Sequence, residues 1–141
     1  MRHAVWAARL AFSLVFVVNV ACALQFVIAP ALYAPGFQLV GVAGEAAVRG
    51  LGVAFLMWNT TYPLFVANPR KYVSMGAVVL VQQLIGCVGE TGILLSLPVG
   101  YEVMMSSIMR FIAFDAAGLV IMGATYAALV RGMRTRDADV C

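Results

Sequence analysis

The chain has 141 residues, of which 64% are hydrophobic and 11% are charged, and its formal net charge is +3. Its mean hydropathy is +0.99, whereas about a quarter of the residues in an ordinary soluble domain are charged. This composition excludes a soluble globular domain and indicates an integral membrane protein in contact with the lipid bilayer. The basic residues form clusters between apolar stretches and no stripe along one face, so we expect no nucleic-acid partner.

Four stretches are long and apolar enough to cross a bilayer, which takes about 20 mostly apolar residues in a helix. The predicted spans are residues 10–29, 50–66, 73–97 and 103–130. The sequence therefore predicts one all-α domain over residues 1–141, with four transmembrane helices in an antiparallel bundle. The polar segment 131–141 is expected to be a disordered tail.

The first span resembles the hydrophobic part of a signal peptide, because basic residues precede it and Ala21–Ala23 resembles a cleavage site. The apolar stretch continues past that point to Ala29, so we expect the span to be retained. Residues 30–49 form the longest connection and are themselves apolar. We expect this connection to lie on or dip into the outer membrane surface, with Tyr33 and Phe37 in the interfacial belt.

The second span contains Pro63, whose ring removes the helical hydrogen bond to the carbonyl of Asn59. The side chains of Asn59, Thr60 or Thr61 can satisfy the freed groups, so we expect a kinked helix. The same three residues match a glycosylation sequon. Because they lie inside the span, we interpret the match as accidental.

The distribution of basic residues predicts the orientation of the bundle. One side holds seven of the nine Lys and Arg residues, namely Arg2, Arg9, Arg70, Lys71, Arg131, Arg134 and Arg136. Of the remaining two, Arg49 falls on the opposite side and Arg110 within a span. Cytoplasmic loops are enriched in Lys and Arg, so both termini are predicted to be cytoplasmic.

The available side chains argue against most cofactor and catalytic chemistry. The only histidine is His3, at the end of the bundle, and the only lysine is Lys71, in a loop, so neither a bis-histidine haem nor an intramembrane Schiff base is expected. Cys22, Cys87 and Cys141 form no C-x-x-C pair and no Cys/His cluster with metal spacing. We expect no cofactor, no metal and no catalytic residue, and an enzyme is the least favoured class.

Charged residues inside the last two spans require an explanation, because a charge at mid-bilayer costs about 2.5–3.5 kcal/mol on insertion scales. Glu90 and Arg110 each lie about ten residues from the centre of the turn "PVGY". Equal depth on adjacent antiparallel helices predicts a salt bridge between them. Asp115 lies nearer the midplane, at the depth of Gln82 and Gln83.

Every predicted helix contributes a polar group at about the same depth, since Asn19 and Asn59 lie near the middle of the first two spans. The candidate site consists of Asn19, Asn59, Gln82, Gln83, Glu90, Arg110 and Asp115. One reading is a buried polar network that holds the helices in register, with Asp115 neutral and hydrogen-bonded to a nearby amide. The other is a small cavity, open outward, that binds a ligand or passes a proton, since intramembrane ionisable groups are candidate sites.

Four strings between Ala29 and Leu129 carry a resemblance: "YAPGFQL", "RGLGVAFLMWN", "GETGI" and "RFIAFDAAGL". Together with the chain length, the four-helix layout and the apolar first loop, they resemble the DoxX-like group of small bacterial membrane proteins. The resemblance implies a location in the bacterial inner membrane and an accessory role in a membrane oxidoreductase assembly, without a redox centre in this chain. It carries over no catalytic residues.

We therefore expect a structural or accessory subunit whose partners are other membrane proteins or further copies of this chain. The alternative is a small transporter or ligand-binding membrane protein that uses Glu90, Arg110 and Asp115. An open cavity that reaches these residues would favour the alternative, and a closed interior would favour the structural role.

Overall fold

The computed structural model describes the backbone of residues 2–138 and the side chains of residues 2–135. Every regular element in this range is helical. The α-helices are α1 (Arg2–Ile28), α2 (Pro30–Tyr33), α3 (Gly41–Asn59), α4 (Tyr62–Ala67), α5 (Val73–Ser96) and α6 (Glu102–Ala138), with a 3₁₀ turn at Ala34–Phe37 between α2 and α3.

Four segments of the described chain are long and apolar enough to cross a membrane. They are Arg2–Ile28, Gly41–Ala67, Val73–Ser96 and Glu102–Thr135, the second being formed by α3 and α4 together. The prediction of an all-α chain with four candidate membrane spans is therefore confirmed.

Three helices extend beyond their predicted spans. Helix α1 begins at Arg2 and not near residue 10, and α3 begins at Gly41, inside the expected surface connection. Helix α6 continues to Ala138, through most of the segment expected to be disordered; residues 139–141 lie outside the described part. Hydropathy detects only the apolar part of a helix, whereas the ladder of backbone hydrogen bonds continues past a charged side chain.

The second span is broken between α3 and α4, as the position of Pro63 predicts. Pro63 lies in the first turn of α4. Backbone N–H groups in the first turn have no acceptor within the helix, so proline removes no helical hydrogen bond of α4 there. Thr60 Oγ1 donates to the Met57 carbonyl at 2.7 Å, and Thr61 Oγ1 donates to the Trp58 carbonyl at 3.2 Å. The two threonines thus satisfy carbonyl groups next to the break.

Helix α1 packs against α3, α4 and α6, and α5 packs against α4 and α6. The buried apolar side chains form two clusters. The first includes Phe12 and Val15 of α1 together with Tyr62 and Phe65 of α4, and the second is centred on Phe26 of α1. The middle of α1, where Asn19 was predicted to face the interior, lies between these clusters.

The connection between α1 and α3 packs onto the bundle. Tyr33 and Phe37, expected in the interfacial belt, lie against the ring of Phe26, with ring centroids 5.0 and 5.9 Å away. Gln38 Nε2 donates to the Gly100 carbonyl at 3.1 Å, and Gln38 Oε1 accepts from the Met104 backbone N–H at 3.3 Å. The connection is therefore fixed to the turn between α5 and α6.

The outer faces of the helices are apolar. Leu10, Leu14 and Ile28 of α1 and Val88 and Leu95 of α5 are among the large hydrophobic side chains that are exposed over most of their surface. Apolar surface of this extent is unusual for a soluble monomer and is compatible with a small integral membrane protein.

Candidate functional site

A cavity of about 190 Å³ lies between α1, α3, α5 and α6. Six polar side chains line it: Asn19, Asn59, Gln83, Glu90, Arg110 and Asp115. Its aromatic lining consists of Phe55, Trp58, Phe111 and Phe114. The structure thus brings six of the seven candidate residues to one cavity.

Gln82, the seventh candidate residue, lies outside this lining. Its Oε1 accepts a hydrogen bond from Thr61 Oγ1 at 3.0 Å. Successive residues of an α-helix are rotated by about 100°, so Gln82 and Gln83 point to different sides of α5 although they lie at the same depth.

Asp115 is connected to α4 and α5 by a chain of hydrogen bonds. The hydroxyl of Tyr62 donates to Gln83 Oε1 at 3.2 Å, and Gln83 Nε2 donates to Asp115 Oδ1 at 2.7 Å. Tyr62 is fully buried and Gln83 is 2% exposed. This chain of hydrogen bonds uses both the oxygen and the nitrogen of the Gln83 amide and joins three helices. The other carboxyl oxygen, Asp115 Oδ2, has no hydrogen-bond partner among the described residues.

Two glycines make room for this chain of hydrogen bonds. A Cβ atom on Gly86 of α5 would lie 2.7 Å from Asp115 Oδ2 and 3.1 Å from the Trp58 ring. A Cβ atom on Gly118 of α6 would lie 3.2 Å from Gln83 Nε2. The missing side chains therefore allow α5 and α6 to approach each other closely around the amide and the carboxyl group.

The expected salt bridge between Glu90 and Arg110 is not formed, and that prediction is wrong. Arg110 Nη2 donates to Ser107 Oγ, one turn earlier in α6, at 3.0 Å. Glu90 Oε2 is buried without a hydrogen-bond partner in the described part of the chain. Equal depth does not make two side chains face each other, and residues three apart on one helix are close neighbours, so Ser107 binds the guanidinium instead.

Asn59 provides a second unpaired acceptor. Its Nδ2 donates to the Phe55 carbonyl at 2.8 Å, but its Oδ1 is buried and has no partner among the described residues. The residue is only 4% exposed. A buried polar atom without a partner costs about 1–3 kcal/mol, so Asn59 Oδ1 and Glu90 Oε2 are candidate acceptors for a bound hydrogen-bond donor.

A second cavity, of about 350 Å³, adjoins the first. Cys22, Arg110 and Phe111 line both cavities. The second is otherwise bordered by the α1–α3 connection, through Leu32, Tyr33, Gly36 and Phe37, and by Phe26 and Ser107. The wall between the two cavities therefore includes the side chain of Arg110.

The aromatic lining and Tyr62 were absent from the predicted site, although their spacing contains a signal for the lining. Phe114 lies four residues after Arg110 and Phe111 four residues before Asp115, so the four side chains fall within an arc of about 140° on α6. Phe55 lies four residues before Asn59, on the same side of α3. A search for aromatic residues one turn away from each intramembrane polar residue would have found these rings.

In the described part of the chain, no group of three His, Cys, Asp or Glu side chains lies close enough to hold a metal ion. No protein-family model, curated protein or solved structure matches this sequence.

Proposed function

We propose that this chain is a multi-pass protein of the bacterial inner membrane whose cavity binds a small ligand within the bilayer. The observation that carries the proposal is a pair of buried acceptors, Glu90 Oε2 and Asn59 Oδ1, that have no partners among the described residues and belong to two side chains that line the cavity. The cavity distinguishes a ligand-binding protein from a closed polar network, in which these acceptors would be paired by neighbouring side chains.

The proposed topology has four antiparallel spans with both termini in the cytoplasm. Gln38 bonds to Gly100, which supports placing the α1–α3 connection and the α5–α6 turn at the same end. Arg9 Nη2 donates to the Ala67 carbonyl at 2.6 Å, which brings the beginning of α1 to the end of α4. The clusters of Lys and Arg then favour that second end as the cytoplasmic one.

The volume of the cavity supports a ligand and not water alone. An apolar cavity of about 150 Å³ holds a benzene molecule, whereas one water needs about 10–15 Å³ of probe-occupied volume. With about 190 Å³, the cavity has room for a molecule slightly larger than benzene. Its mixed lining, with aromatic rings beside a few polar groups, is typical of small-molecule sites.

An accessory role in a larger membrane assembly is our second proposal, in line with the resemblance to DoxX-like proteins. The chain of hydrogen bonds from Tyr62 through Gln83 to Asp115 supports it, since a network of this kind fixes helix register without any ligand. The exposed apolar faces of α1 and α5 would suit partner helices as well as lipid. Purification in mild detergent followed by mass spectrometry tests this role through the membrane subunits that remain bound.

Native mass spectrometry of the protein released from its own membranes tests the ligand-binding proposal. Cys22→Phe places a ring in the space that Cys22 borders, and Cys87→Phe adds the same ring to α5, at a position that lines neither cavity. We expect a small-molecule adduct on the wild type and on Cys87→Phe, and none on Cys22→Phe. Identical spectra for all three proteins would contradict the proposal.

A further inference from the structure

We infer that the ligand of this cavity is a small organic cation, namely a protonated amine attached to an apolar group about the size of a benzene ring. This inference rests on the ligand-binding function proposed above and adds the chemical class of the ligand. Three independent features of the lining lead to it: the hydrogen-bonding balance, the formal charge and the aromatic rings.

The hydrogen-bonding balance of the cavity favours a ligand that donates. Three donors of the lining are paired within the protein: Arg110 Nη2 bonds to Ser107 Oγ, Asn59 Nδ2 to the Phe55 carbonyl and Gln83 Nε2 to Asp115 Oδ1. In contrast, Glu90 Oε2 and Asn59 Oδ1 are buried without partners in the described part of the chain. An ammonium group offers donors and no acceptor, which matches these vacant positions.

The charges that line the cavity favour a cation of single charge. The lining contains two carboxyl groups, on Glu90 and Asp115, and one guanidinium group, on Arg110. Their formal charges total −1 when all three are ionised. The Arg110 Nη2 group bonds to Ser107 Oγ, and the guanidinium forms no ion pair with Glu90, so it neutralises the lining only in part. A monovalent cation would compensate the remaining carboxylate.

The aromatic rings suit the apolar part of the ligand and its charge. Phe55, Trp58, Phe111 and Phe114 border the cavity, and the face of an aromatic ring attracts an organic cation within about 6 Å. A metal ion or an inorganic cation would gain less from such a wall, since it has no apolar surface to bury. An amine bonded directly to a hydrocarbon group uses both parts of the lining.

Binding of three monosubstituted benzenes of similar shape tests the inference directly. Benzylammonium is the cation, benzyl alcohol the neutral counterpart and benzoate the anion. The chain has two tryptophans; in Trp6→Phe, Trp58 is the only one left, so its fluorescence reports on the cavity. We expect benzylammonium, added to this variant in lipid nanodiscs, to change the Trp58 signal saturably. Its affinity should exceed that of either counterpart by a factor of about 10–150, which corresponds to the roughly 1.5–3 kcal/mol of a hydrogen bond to a charged group.

Two further variants identify the carboxylate. Glu90→Gln should weaken benzylammonium binding by about tenfold or more while leaving benzyl alcohol binding unchanged. Glu45→Gln is the matched control, because Glu45 lies on α3 and lines neither cavity; it should bind like the parent. If Glu90→Gln does not fold, the comparison of the three compounds on the parent still decides the inference.

The outcomes separate this inference from the proposed function. Equal or tighter binding of benzyl alcohol or benzoate would overturn the cation while supporting a ligand site. Binding of none of the three would also overturn the cation, and the native mass spectra would then decide separately whether the cavity holds a ligand. An equal benzylammonium affinity in Glu90→Gln would show that this carboxylate does not bind the amine.

Discussion

Replacement of Gln83 by Met tests the hydrogen-bond chain that joins α4, α5 and α6. Methionine keeps the unbranched shape that packs beside Gly118, but it removes the acceptor for the Tyr62 hydroxyl and the donor to Asp115. Interhelical hydrogen bonds within membranes contribute about 0.6 kcal/mol on average and up to about 1.7 kcal/mol. The loss of two such bonds should therefore lower the free energy of unfolding by about 1–3 kcal/mol.

Gln82→Met is the matched control for this experiment. Gln82 accepts one bond from Thr61 Oγ1, and that hydroxyl also donates to the Trp58 carbonyl, so the loss should stay below about 0.5 kcal/mol. Unfolding of both variants by denaturing detergent in mixed micelles, or by steric trapping in bicelles, gives the two free energies. Equal losses for Gln82→Met and Gln83→Met would refute the assignment. Additive effects of Gln83→Met and Tyr62→Phe would also refute it, since coupled partners deviate by about 0.5 kcal/mol or more.

Three further predictions concern packing, charge and topology. Gly86→Ala should destabilise the protein by about 1–3 kcal/mol through overpacking against Asp115. The Cβ atom of Gly89→Ala would meet nothing within 4 Å, so this variant should stabilise α5 by about 0.5–1 kcal/mol. Unfolding measurements in micelles that rank the two variants the other way would contradict the structure. Because Glu90 and Arg110 form no ion pair, the effects of replacing each by Gln on unfolding should add within about 0.5 kcal/mol, and a strongly non-additive double variant would show a pair. Reporter fusions after the last residue and within the α1–α3 connection should report opposite sides of the membrane; the same side for both would exclude the proposed topology.

The sequence predicted the spans well because lipid imposes a strong and local rule on composition. Long apolar stretches gave all four candidate membrane segments, and Pro63 gave the break between α3 and α4. The helix ends were predicted poorly, because Glu45 and Arg49 interrupt the apolar sequence at the start of α3 and the end of α6 is charged. Their helical state depends on backbone hydrogen bonds and on packing against the rest of the chain.

The candidate site was predicted by depth, and depth alone has a clear limit. Counting residues from the α5–α6 turn predicted that Glu90, Arg110 and Asp115 lie in the same region of the bundle. All three line the cavity. The rotation of each helix about its axis sets which side chains meet, and that rotation follows from contacts such as Gly86 against Asp115. The sequence does not give these contacts, so the salt bridge was predicted where Arg110 in fact binds Ser107.

Chemical labelling of Cys22 tests the central claim, a cavity that small molecules reach, most directly. One variant retains only Cys22 and a second retains only Cys87, with serine at the other two positions. Both residues are partly buried, but only Cys22 lines the cavities. Because the reacting species is the thiolate, which needs water to form, a small water-soluble methanethiosulfonate should label Cys22 in lipid nanodiscs many times faster than Cys87. Labelling of Cys22 as slow as that of Cys87 would contradict the account and favour a closed polar interior.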